Sequence, residues 1–342
     1  MSGGIAQLVA IGAQDAHIVG KPEVSFFRSN YKRHTNFAQT VEKQVIQGNP
    51  SNGGMSTVRF ERKGDLVGYV YITNRTPRNN PPNVWRGEIE KVELIVGGQI
   101  IDTQTSEFSQ NIAPAMLAQT YSKSLPGASD NLSSFFPLRF SFCENAQSAL
   151  PLVALQYHDV EIRIRWATPH SNMDYEVHAQ FIYLDTDERT TLANTPQNML
   201  ITQTQKMIKS GSATQELSFN HPVKFLASHD ENGGGLDFRN GNVKLQINGT
   251  DVGDAKHASN YTSTSLYYHT PFYKLNSQIA HHFLYPFCLD TAKLQPTGSL
   301  NFSRIDSARL LSDAGSFTTD IYAVNYNILR IENGMAGLLY SN

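Results

Sequence analysis

The sequence predicts an all-β protein made of two copies of one β domain. Three observations carry that expectation. The dominant hydrophobic period is two, the period of a strand with one covered face. Helical signal is scarce, while Gly, Pro and Asn punctuate the chain at short intervals. Short stretches also recur in the same order, with offsets falling from 151 to 139 residues.

Along the chain, residues 5 to 16 place Ile5, Leu8, Val9, Ala13 and Ala16 on one helical side, weakened by Gly3, Gly4 and Gly12. "KVELIVGG" sets Val92, Leu94 and Val96 on one face of a strand and ends at Gly97-Gly98. Residues 105 to 122 suit a short helix interrupted at Pro114. In "VEIRIRW", Val160, Ile162, Ile164 and Trp166 face one way, and Glu161, Arg163 and Arg165 the other. "AQFIYLD" and "IYAVNYNILRI" are apolar or aromatic on both faces and read as strands with little solvent contact. Residues 187 to 200 suit a helical turn ending before Pro196. "NVKLQING" sets Val243, Leu245 and Ile247 on one face and ends at the turn pair Asn248-Gly249.

The repeat joins four matches. "VELIVGG" from Val92 resembles "VKLQING" from Val243, Pro137 aligns with Pro286, Asp159 with Asp306, and Ile182-Tyr183 with Ile321-Tyr322. They predict two β domains meeting near residues 186 to 199, the second slightly shorter.

Composition bounds the function. The chain has 342 residues, 40% of them hydrophobic, 28 basic against 30 acidic, and a net charge of −2. That supplies a real core and argues against a general nucleic-acid coat, which needs a clear basic excess. Two cysteines, Cys143 and Cys288, sit in aromatic runs and read as buried free thiols of a reducing compartment. The first residues lack the basic leader and apolar core of a secretory signal, and no apolar run approaches a membrane span. The acceptor sequons at Asn74, Asn131, Asn248, Asn260 and Asn301 are therefore read as chance.

Four groups could carry chemistry, and each has a plainer explanation. His281-His282 would point to opposite faces of a strand and could not share one metal ion. His158 and Asp159 diverge for the same reason, and no nucleophile elbow exists to use them. Asp185, Asp187 and Glu188 could serve glycoside chemistry, but acidic residues at a helix start explain them equally. The glycine-rich stretch 231 to 242 lacks the Lys-Ser/Thr of a phosphate loop and reads as a surface loop. No catalytic constellation, metal site or cofactor is predicted.

The stretch "VSFFRSNYKRHTNFA" (24 to 38) interleaves Arg28, Lys32, Arg33 and His34 with Phe26, Phe27, Tyr31 and Phe37. Charge for phosphates and rings for bases would suit a single-stranded nucleic acid. The same mixture suits a protein contact.

Long stretches resemble one family. Residues 3 to 38 are similar to the opening of the major capsid proteins of nucleocytoplasmic large DNA viruses, the algal-virus and iridovirus kind. "LPLVALQYHDVEI" (150 to 162), "FIYLDTDERTTLA" (181 to 193), "LSFNHPVKFL" (217 to 226), "SLNFSRIDSARL" (299 to 310) and "IYAVNYNILRIENGMAGLLYSN" (321 to 342) resemble its later landmarks in order. The resemblance implies two tandem eight-stranded jelly rolls: an arm at 1–23, a first roll at 24–190 and a second at 191–342. It implies a homotrimeric capsomer of pseudo-hexagonal outline in an icosahedral shell, with neighbouring capsomers and minor capsid proteins as partners. It also implies a virion location, assembly in the host cytoplasm and proximity to an internal membrane. On that basis Arg28, Tyr31, Lys32, Arg33 and His34 become candidates for inner-face assembly contacts, and direct genome contact is the weaker reading. Stretches that build an outward tower in many relatives are brief here, which suits either the main subunit or a reduced paralogue at a special position of the shell. From other classes, a β-sandwich lectin would show exposed Trp or Tyr with Asp/Asn clusters, and a cupin-like enzyme would show spaced His and Glu ligands. Trp85 and Trp166 lie in or beside apparent strands instead.

Overall fold

The computed structural model describes residues 3–74, 84–124, 135–168, 174–230, 241–272 and 282–341. They form two compact units, Met1–Asn36 and Phe37–Asn342.

The first unit holds two short helices, Gly3–Val9 and Ala16–Val19, and irregular backbone to Asn36. The single helical face expected over residues 5 to 16 is broken in two, and no residue of either helix is buried. A seven-residue helix has too few hydrogen bonds to persist through a glycine without a packed face.

The second unit is built from sheets. Its first half contains β1 (Phe37–Gln44), β2 (Ile46–Gln47), β3 (Met55–Arg59), β4 (Leu66–Asn74), β5 (Ile89–Val96), β6 (Gln99–Thr105), β7 (Phe135–Pro137), β8 (Leu150–Pro151), β9 (Val160–Trp166) and β10 (Tyr175–Leu184). The first sheet runs β1-β10-β4-β7, with β8 beside β4, and the second runs β2-β3-β9-β5-β6. All of these neighbours are antiparallel. Val70, Ile72, Val177 and Phe181 of the first sheet share one core with Val58, Leu94, Ile162 and Ile164 of the second. Consecutive strands cross between sheets, which is the jelly-roll pattern.

The second half repeats it with β11 (Gln197–Met207), β12 (Thr214–Glu216), β13 (Pro222–His229), β14 (Asn242–Ile247), β15 (Thr250–Asp251), β16 (Lys256–His257), β17 (His282–Pro286), β18 (Leu300–Asn301), β19 (Ala308–Ser312), β20 (Ile321–Glu332) and β21 (Met335–Leu338). The third sheet runs β11-β20-β13-β17, with β18 and β21 alongside, and the fourth runs β12-β19-β14-β15, with β16 beside β14. Sheet for sheet the two orders coincide, so β1 answers to β11, β4 to β13, β9 to β19 and β10 to β20. The repeat read from the sequence is a repeat of the fold.

Local chemistry explains the elements. β9 alternates between buried apolar and more exposed charged residues as its sequence dictates. On β5 the opposite face is covered too. Glu93 is buried there, its charge met by Lys91 at 2.6 Å and Arg163 at 3.4 Å. β20 is buried on both faces along most of its length, because it is central in its sheet and the first half packs on its outer side. Asp185 accepts a hydrogen bond from Thr186 N–H and opens the helix Thr186–Asn194, with Asp187 and Glu188 in its first turn. The acidic trio is therefore a helix start. Pro114 stands within a helical segment that changes from the π-turn Phe108–Ile112 to the α-turn Ala113–Met116 just before it, which breaks the regular α pattern there. Both cysteines are buried free thiols. Burial pushes Cys143 up and Cys288 up to about 11, so both stay protonated and unreactive.

Asn248 takes a left-handed backbone (φ 48°) between β14 and β15, and its Oδ1 accepts from the N–H groups of Asp306 and Ser307 at 3.0 Å each. Asn248→Ala should lower stability by about 1–2 kcal/mol, from backbone strain and two lost acceptors. Chemical denaturation measures it, and an unchanged midpoint would show that the turn relaxes freely.

Candidate assembly surfaces

The groups read as possible chemistry are placed in structural roles. Asp159 pairs with Arg59 at 2.5 Å and Arg62 at 3.7 Å. His158 Nδ1 accepts from Ala336 N–H at 3.1 Å, tying the first half to β21. His281 and residues 231–240 lie outside the described residues. His282 donates from Nε2 to the Asn111 carbonyl at 3.1 Å and stacks near His229, ring centres 4.7 Å apart. Among the described residues no group of three His, Cys, Asp or Glu is placed to hold a metal ion. Trp85, on the short helix Val84–Glu88, and Trp166 are buried, unlike the exposed rings a lectin presents. No described helix is long and apolar enough to cross a membrane.

The surface with the most specific geometry joins the two halves. Phe108, Ile112, Ala113 and Met116 come from a helical segment that starts as a π-turn at Phe108–Ile112 and continues as Ala113–Met116. They pack on Phe225, Ala227, Leu284, Tyr322 and Val324, the outer face of the third sheet. Polar contacts flank this plug. Thr105 Oγ1 meets Tyr322 Oη at 3.0 Å, and Glu107 meets His229 Nδ1 at 2.6 Å. Beside it, Gln203 Nε2 donates to the Ile101 carbonyl. Buried Asp102 accepts from the N–H groups of Thr103 (2.9 Å) and Thr204 (2.8 Å) and from Gln104 Nε2 (2.8 Å). Burial pushes its carboxyl up to about 7, despite those three donors, which favour the charged form. The seam holds the two rolls at one angle, with apolar burial supplying energy and directed hydrogen bonds fixing register. Sequence reading missed it, since both partners are ordinary strand and helix residues whose meeting depends on topology.

The outer face of the first sheet differs. Tyr69 is 43% exposed, and Tyr71, Thr73, Glu176 and His178 are half-buried. Tyr71 stacks on His178 (5.3 Å) and meets Phe135 edge-on (6.0 Å). Glu176 pairs with Lys43 at 2.6 Å and with His178 at 3.4 Å. The alternation of Tyr69, Tyr71 and Thr73 with Val70 and Ile72 marks this face in the sequence. On the second sheet the outward Arg163 and Arg165 are ion-paired with Glu93 and Glu90.

Arg28, Tyr31, Lys32, Arg33 and His34 all lie in the first unit, on backbone without regular structure. Phe26 (91%), Phe27 (100%) and Tyr31 (85%) present nearly whole rings to solvent. Large apolar rings therefore stand exposed beside cations in this segment.

Two matched sandwiches on one chain, held at a fixed angle by the seam, define a double jelly-roll protein. Residues 25–192 match the family described as major capsid protein N-terminus, and residues 240–337 match large eukaryotic DNA virus major capsid protein. The major capsid protein of Pyramimonas orientalis virus is 34% identical over 396 aligned positions that cover all of both chains. That of Paramecium bursaria Chlorella virus 1 is 29% identical over 444, again covering both. The crystal structure of PBCV-1 VP54 superposes with a TM-score of 0.78 at 27% identity, over 93% of this chain and all of that one. The Faustovirus major capsid protein shares the fold, with a TM-score of 0.68 at 10% identity, over 94% of each chain. The chain belongs to the major capsid protein family of large eukaryotic DNA viruses.

Proposed function

We propose that the chain is a structural subunit of an icosahedral DNA virus shell, not an enzyme, and that three copies form its capsomer. The observation that carries this is the sheet-for-sheet equivalence of the halves. A ring of three chains then presents six nearly equivalent sides, and closed cyclic symmetry is the common solution for identical chains. The working parts are the arm 1–23, the first roll 24–190 and the second 191–342; the helix Thr186–Asn194 links the sheets of the two rolls. Arg28, Tyr31, Lys32, Arg33 and His34 serve as inner-face contacts to neighbouring capsomers and minor capsid proteins, near an internal membrane where the shell has one. Assembly takes place in the host cytoplasm. Because the chain as a whole carries a net charge of −2, this locally basic segment is a protein contact in preference to a genome contact.

Three chains of 38.1 kDa give a particle of about 114 kDa. Light scattering at micromolar concentration should read that mass before any shell forms. A monomer there, with no rings by microscopy, removes the capsomer reading. Deleting residues 1–23 should leave the thermal unfolding profile of the sheets unchanged and impair shell assembly. A truncation that unfolds the protein would instead make the arm part of a core.

A second reading has its own support. The alignment with the Pyramimonas virus protein spans 396 positions against 342 residues here, so at least 54 positions of the relative have no counterpart in this chain. A shortened outer surface suits a reduced paralogue at a special shell position, and five-fold rings by microscopy would favour it.

A further inference from the structure

We propose that Tyr267 and Tyr268 of one copy dock on the outer face of the first sheet of a second copy, around Tyr69, Tyr71 and Phe135. This docking presupposes the trimeric reading above and names the surfaces that close the ring.

The template is inside the chain. In the first half, a π-turn running into an α-turn presents Phe108, Ile112, Ala115 and Met116 to the outer face of the third sheet. The second half carries the same device at the same place in its repeat: a π-turn at Asn260–Thr264 running into Ser265–His269. An offset of 152 maps positions 108, 112, 113, 115 and 116 onto Asn260, Thr264, Ser265, Tyr267 and Tyr268. Ser265 is buried, Asn260 half-buried and Thr264 exposed, while Tyr267 is 66% and Tyr268 72% exposed. Leu266 is buried in the cluster that holds Phe225, Leu284 and the first half's plug, so the segment is anchored at the seam with its two tyrosines turned outward.

The receiving face is matched by strand register. Tyr71 pairs with Pro137 and His178 as Phe225 pairs with Pro286 and Val324. Thr73 pairs with Phe135 and Glu176 as Ala227 pairs with Leu284 and Tyr322. Phe225, Ala227, Leu284, Tyr322 and Val324 are buried under the first half's plug. Their counterparts on the first sheet are half-buried, and three of them, Tyr71, Thr73 and Phe135, front a largely apolar hollow of about 680 Å³. Among the described residues, one half of each chain therefore has a covered sheet and an uncovered plug, and the other has a used plug and an uncovered sheet. A second copy supplies the missing partner for both.

The change in residue type fits that occupant. The internal plug is Phe, Ile, Ala and Met on Phe, Ala, Leu, Tyr and Val, a contact that never parts. The free plug is Asn, Thr, Tyr and Tyr, and its seat is the more polar set Tyr, Thr, Phe, His and Glu. Such surfaces stay soluble while apart, and tyrosine still supplies large contact area with a polar tip.

The test uses the full chain. Tyr267→Ser with Tyr268→Ser should keep the wild-type melting curve, since both rings are exposed, and raise the concentration of half-dissociation at least tenfold, the scale of an aromatic anchor. Tyr71→Cys with Tyr268→Cys, treated with a short bis-maleimide, should give covalent dimers and trimers that neither single variant gives. A trimer that persists in the serine variant and fails to cross-link would overturn this docking and leave the trimeric reading standing. A wild-type monomer would remove both.

Discussion

Trp166→Ala should destabilise the first jelly roll by about 3–5 kcal/mol, the usual cost of emptying a large aromatic site in a packed core. Trp166 is fully buried at the end of β9, in the core shared by the first two sheets. Tyr175 of the facing sheet stacks on it with ring centres 4.5 Å apart, so the indole bridges the layers. Its Nε1 donates to Ser56 Oγ at 2.9 Å, and Ser56 is itself buried. Alanine leaves a cavity and also strands that hydroxyl, which adds about 1 kcal/mol. The first roll should then melt roughly 10 °C lower. The second roll has its own core around Leu226, Leu245, Phe283 and Leu310 and should hold its midpoint more closely. Calorimetry resolves the two. Trp166→Phe keeps a ring between the sheets and should recover more than half of the loss. If alanine and phenylalanine behaved alike, the indole would not be bridging the sheets.

Much of this architecture was legible in the chain because strand period and turn chemistry are local. The alternation in "VEIRIRW" gave β9, and the Gly97-Gly98 and Asn248-Gly249 pairs, all four at positive φ, gave two hairpins. The repeat was legible because the two halves keep like residues at equivalent strand ends, as at Pro137 and Pro286, which close β7 and β17. Contact surfaces were less legible. A residue buried by a neighbouring half looks like a core residue, so Phe108 and Phe225 carry no mark of the seam. A residue awaiting another copy looks like an ordinary surface residue, so Tyr267 and Tyr268 are identified only once Phe108–Ile112 shows what the equivalent segment does. Phe26, Phe27 and Tyr31 stood out for the opposite reason: aromatic rings that belong to no strand have no local use.

Asp102 should make the seam between the rolls strengthen as pH falls toward 4. The N–H donors that meet the carboxyl favour its charged form, but burial outweighs them and keeps it neutral up to about pH 7 in the folded chain. Unfolded, it ionises at the ordinary value of 3.8. Between these limits the folded chain binds more protons, so this group's contribution falls as pH rises from about 4 to 7 and is flat beyond either end. The span amounts to about 4 kcal/mol, from roughly 1.4 kcal/mol per pH unit. Asp102→Asn removes that slope. Its amide oxygen can still accept from Thr103 and Thr204. Its Nδ2 faces Gln104 Nε2, which also donates to the Arg139 carbonyl, so one hydrogen bond is lost whichever way Gln104 turns. The loss of about 1–2 kcal/mol is smaller than the ionisation penalty it replaces. The two stability curves should therefore cross: the asparagine variant weaker at pH 4.5 and stronger at pH 8. Denaturant titrations across that range read the crossing directly. Parallel curves would mean that Asp102 is already ionised in the folded chain, with water reaching the seam to solvate it.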